Sequence, residues 1–92
     1  MGDSDAGDEQ RVWLVDRQSR DENLVTLVYA TPDGQHHLRR QLSFQLLTRK
    51  PVTAAMDVDP GRLEPVIDPN DREHYATQAQ SMAADHDPDD EV

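Results

Sequence analysis

Cysteine is absent from the 92 residues. That excludes a disulfide framework, a thiolate metal site and a cysteine nucleophile. Glycine occurs four times, too scattered for a phosphate-cradling GxGxxG or GxxxxGK[ST] loop. None of Ser4, Ser19, Ser43 and Ser81 lies in a GxSxG elbow. No HExxH spacing occurs, and the adjacent His36 and His37 would point to opposite sides of a strand. Carboxylates are plentiful, but no pattern pairs two of them in a desolvated cleft. The expectation is a chain that is not an enzyme and carries no cofactor and no metal. No apolar run approaches the roughly 18 residues of a membrane helix. No basic, apolar leader opens the chain, so the expected compartment is the cytosol.

Lysine is nearly missing as well. The nine bases are eight arginines and Lys50, against 19 acids and a net charge of -10. That charge is uneven. Residues 1–10 carry -4, residues 85–92 carry -5, and residues 11–84 only -1. Both ends are polar and short of large apolar groups, so disordered acidic tails are expected at 1–10 and 85–92. A single domain is expected at 11–84. Many acids with arginine as the retained base suit a protein working in molar salt, where a charged surface stays hydrated and its self-repulsion is screened.

What remains reads as an α+β domain: a small antiparallel sheet of three or four strands with one C-terminal helix packed on one face. Val12–Val15 is a first strand, residues 18–23 a polar connection, and Leu24–Thr31 a second strand rich in β-branched residues. Thr31-Pro32-Asp33-Gly34-Gln35 reads as a three-residue hairpin loop with a glycine bulge. That loop gives paired numbers summing to about 66. Leu24, Val28, Leu38 and Leu42 then share the core face. Trp13, Leu27, Tyr29, His37 and Arg39 gather on the other. Leu38, Gln41, Leu42, Gln45 and Leu46 also fit a helical stripe, and the segment is resolved as strand to about Leu42 followed by a short helical turn from Ser43 to Thr48 with Ser43 as its cap, strand being the alternative for 43–48. Residues 52–58 alternate as a fourth strand. Asp68-Pro69 opens a helix with Tyr75, Ala79, Met82 and Ala83 on its buried stripe.

The segments YATPDGQ, VTAAMDVDP, DPNDREHYATQA and HDPDD resemble a family of small acidic proteins of halophilic archaea with no assigned activity. The resemblance implies a cytosolic halophilic protein and supplies no catalytic residues.

Two interaction features stand out. One helix covers one sheet face, which leaves Trp13, Val25, Leu27 and Tyr29 partly open and favours a protein partner or a homodimer. Residues 35–56 carry Arg39, Arg40, Arg49 and Lys50 without an acid, a net +4. Beside aromatics, such bases could grip nucleic acid by stacking and charge. They equally suit pairing with Asp57 or Glu73, or facing water. Molar salt weakens phosphate contacts and strengthens apolar ones. The expected role is therefore a non-catalytic protein-interaction or self-associating module, with nucleic-acid binding as the alternative. The candidate residues are Trp13, Leu27, Tyr29, His37, Arg39, Arg40, Arg49 and Lys50.

Overall fold

The computed structural model describes residues 9–21, 23–49 and 51–92. Most of the expected N-terminal tail therefore lies outside the described residues, and so does Lys50. The hairpin at Thr31 organises the rest. Gly34 N–H donates to the Thr31 carbonyl at 2.9 Å, and Gly34 sits at φ 71°, a conformation that favours glycine. The loop is one residue longer than expected. Asp33 Oδ1 accepts from the Thr31 hydroxyl at 2.6 Å and from Gln35 N–H at 3.0 Å. This Asx-type turn uses the Gln35 donor locally, so the ladder resumes only at His36, whose carbonyl accepts from Thr31 N–H at 3.0 Å.

Paired numbers between β2 (Leu24–Ala30) and β3 (His36–Ser43) consequently sum to 67. That slip exchanges the faces. Val25, Leu27 and Tyr29 oppose Leu42, Arg40 and Leu38, and Thr26, Val28 and Ala30 oppose Gln41, Arg39 and His37. The expected face shared by Leu24, Val28, Leu38 and Leu42 is not formed, nor is the one shared by Leu27, Tyr29, His37 and Arg39.

The first strand is much longer than expected. β1 runs Gln10–Asp21, absorbing what read as a polar connection. It pairs with β2 around an irregularity between Leu14 and Asp16. β4 (Ala55–Val58) pairs with Gln10–Trp13, and β5 (Glu64–Pro65) pairs with the start of β3. The sheet has five antiparallel strands in the order β4-β1-β2-β3-β5, one more than the upper expectation. Asp57 and Arg11 face each other at the β1–β4 seam and are joined at 2.9 Å.

Both sheet faces are covered. The first packs Val12, Val25, Leu27, Tyr29, Leu38, Val52 and Val58 together. Its cover comes from the chain after β3. There α1 (Phe44–Arg49) is capped by the Ser43 hydroxyl, which accepts from Leu46 N–H at 3.1 Å, and supplies Leu47, while Val52 and Met56 follow. The second face carries Trp13, Val28 and Ala30 under α2 (Pro69–Asp85), where Tyr75 and Ala79 are buried. Asp68 caps α2 as expected, accepting from Asn70 N–H at 2.8 Å. Gly34 lies close beneath the helix, where an added Cβ would collide with the Arg72 carbonyl. Trp13, Val25, Leu27 and Tyr29 are 7%, 1%, 0% and 2% exposed, so the expected open face does not exist. Full burial of each large aliphatic side chain contributes about 1.5–3 kcal/mol relative to exposure.

The C-terminal segment is the other departure. Residues 85–92 were expected to be a disordered tail, but Asp85 ends α2 and the described residues beyond it are placed against the sheet. They return along residues 52–55. Ala54 N–H donates to Asp90, Ala55 N–H to Pro88, and Val92 N–H to Val52, at 2.8–3.0 Å. Ala54 and Ala55 are 0% and 4% exposed, so their amides need acceptors, and the tail backbone provides them.

Candidate binding site

On the first face, the new register brings Leu27 and Tyr29 of β2 beside Arg40 and Leu42 of β3. Leu46, Pro51, Val52, Thr53 and Met56 close over them, and a pocket of about 270 Å³ is left between. Among the described residues its lining is aliphatic apart from three side chains. Thr53 is already engaged, its hydroxyl donating to the Ala55 carbonyl at 2.7 Å. Burial pushes the Tyr29 phenol above its ordinary value, with the Arg40 charge working against that shift. Arg40 reaches across the face and places Nη1 3.9 Å from the Met56 sulfur, a weak acceptor. Among the described residues no carboxylate lies within ion-pair distance of Arg40.

The other candidates are spread over the fold. Trp13 is packed under α2 with Ala54, Ala55 and Ala79. His37 lies on the second face, its ring 6.0 Å from that of Tyr75 and Nε2 4.0 Å from Glu64. Its Nδ1 is buried without a partner among the described residues, and burial holds its pKa below the ordinary value. Arg39 shares a polar cleft with Gln18, Thr26 and Gln41 on that same second face. Arg49 is exposed at the end of α1. Leu27, Tyr29 and Arg40 are thus brought together, whereas Trp13, His37 and Arg39 are on the opposite side of the sheet. The expected stacking surface of bases beside Trp13 and Tyr29 is not present, because both rings are buried. Leu42, Leu46, Val52 and Met56 were missed as pocket residues. The alternation of Val52, Ala54 and Met56 was the signal for Val52 and Met56, and the expected core face of the hairpin that for Leu42.

One edge is also open. β5 accompanies β3 only at His36 and His37, so from Leu38 to Ser43 the outer side of β3 has no strand beside it among the described residues. The ladder direction is fixed at both ends. The His36 carbonyl accepts from Thr31, and Phe44 N–H donates to the Asn23 carbonyl. Even-numbered residues of this stretch therefore bond towards β2. Arg39 and Gln41 turn their N–H and C=O groups outward.

A profile described as "Family of unknown function (DUF7967)" matches residues 6–92. The chain belongs to that family. The pocket and the open edge both lie inside the DUF7967 match. No curated protein and no solved structure is significantly similar to the chain. Among the described residues, no helix is long and apolar enough to cross a membrane. No group of three or more histidines, aspartates or glutamates is placed there to hold a metal ion.

Proposed function

We propose that this protein is a non-catalytic docking module that accepts an extended, acidic segment of another protein as an added strand on β3. The open edge from Leu38 to Ser43 carries the reading. Strand addition draws affinity from backbone bonds and selectivity from alternating side chains. Arg39 makes no ion pair with a described carboxylate and flanks the outward groups, so it favours an acidic neighbour across the new ladder.

A second copy is the more restricted occupant. Two β3 edges paired about a two-fold axis at Arg39 or Arg40 would set like charges directly opposite, which is destabilising, and of these three central positions only an axis at Gln41 avoids it. The acid-rich, lysine-poor composition supports a halophilic, cytosolic setting for the module. At about 1 M salt the Debye length is near 3 Å, so backbone bonds and apolar burial would carry the affinity, with charge setting the choice of partner.

The test uses a short synthetic peptide alternating valine and glutamate, with its lysine counterpart as control. The glutamate peptide should bind and protect the Arg39 and Gln41 amides from exchange. Gln41→Pro removes an outward donor that no described strand uses, so the fold should survive while binding is lost. Equal binding by Gln41→Pro, or no preference for the acidic peptide, overturns the reading.

A further inference from the structure

The pocket on the first face has a chemistry separate from the edge. Among the described residues its lining holds one cation and no acid. Arg40 offers five donors in a planar fork, and its only hydrogen-bond acceptor among the described residues is a thioether. The Tyr29 hydroxyl has no hydrogen bond to another described residue, whereas the Thr53 hydroxyl is occupied. Two unengaged polar groups thus converge among aliphatic walls. The outer wall is pre-formed, because Val52 and Ala54 are held from behind by Val92 and Asp90.

These features select a ligand class. A guanidinium fork matches a carboxylate in a bidentate manner. Arg40 as the one cation among the described lining residues suits a monoanion better than a phosphate, which draws on several donors or a glycine-rich loop. The walls Leu42, Leu46, Val52 and Met56 ask for a hydrocarbon body. At about 270 Å³ the space falls just below the roughly 300–1,000 Å³ of drug-sized sites, which fits a small metabolite. We propose that this pocket binds a small aliphatic carboxylic acid, its carboxylate on Arg40 and the Tyr29 hydroxyl and its hydrocarbon against Leu42, Leu46, Val52 and Met56.

The experiment is an NMR titration of the full chain, observing the methyl groups of those four residues, with 4-methylpentanoate and its uncharged amide as probes. The acid should give saturable shifts confined to the pocket methyls. The amide should bind about tenfold or more weakly, the scale of one charge-assisted hydrogen bond. Arg40→Gln should bring acid and amide to equal affinity, and Gln41→Pro should leave acid binding unchanged, which separates this site from strand docking. Equal affinity of acid and amide for the unaltered chain overturns the proposal without any variant. So does a titration that leaves the pocket methyls unshifted.

Discussion

Arg40 lies opposite the fully buried Leu27 in the β2–β3 ladder, and its guanidinium crosses an apolar face to within 3.9 Å of the Met56 sulfur. A cation on that face is the consequence of one loop residue. Had the ladder resumed at Gln35, Arg40 would oppose Thr26. The bond between Thr31 and Asp33 therefore decides more than local turn geometry.

That bond can be tested directly. Hydrogen bonds from Thr31 and Gln35 hold the Asp33 carboxyl below its ordinary value of 3.8. The folded value is the lower one, so the stabilisation is present above pH 3.8 and is lost as pH falls through the folded value. Thr31→Val should raise the Asp33 pKa towards 3.8. It should also cost about 2 kcal/mol, because the hydroxyl's bond to Asp33 and the one it accepts from His36 N–H at 3.2 Å are both lost. Carboxyl NMR titration and urea unfolding measure the two effects. An unchanged Asp33 titration would show that Thr31 does not hold the turn.

His37 gives a second pH dependence. Burial is the largest cause of its lowered pKa and Arg39 adds to it, while Glu64 and Asp71 oppose and His36 contributes least. The folded state binds this proton less readily than the unfolded chain. Stability from His37 is complete above its ordinary value of 6.5, and is lost as pH drops through the folded value. Urea midpoints on either side of pH 6.5 should fall towards acid, and His37→Gln should flatten that slope. A variant with an unaltered slope would place the titration elsewhere.

Removal of residues 88–92 should expose the Ala54 and Ala55 amides to exchange and lower stability. Three backbone bonds are lost, each worth about 1 kcal/mol net, for a total of about 2–3 kcal/mol. Amide exchange and urea unfolding of the truncated chain check this. Unchanged protection at Ala54 and Ala55 would contradict the docked arrangement.

Much of the fold was legible where local chemistry acts alone. Pro32, Asp33 and Gly34 announced the hairpin, Ser43 the short helix, and Asp68-Pro69 the start of α2. The register was not legible, because composition does not tell whether the Asp33 carboxylate or the β2 ladder takes the Gln35 donor. The acidic C-terminal segment read as disordered from its side chains, yet its place is set by backbone acceptors for Ala54 and Ala55. The site was legible in part. Arg39 and Arg40 stood out by charge, but the slip sent them to opposite faces from those expected. Leu27 and Tyr29 read as open because the stretch 51–56, which packs over them, was not foreseen as a lid.

The central claim is that β3 offers an unoccupied edge, and residue-resolved amide exchange of the free chain tests it most directly. Leu38, Arg40 and Leu42 bond inward to β2 and should exchange slowly, while Arg39 and Gln41 should exchange at rates near those of exposed amides. Adding the valine–glutamate peptide should slow Arg39 and Gln41 alone. Protection of Arg39 and Gln41 in the free chain, equal to that of their neighbours, would mean the edge is already covered and would contradict the account.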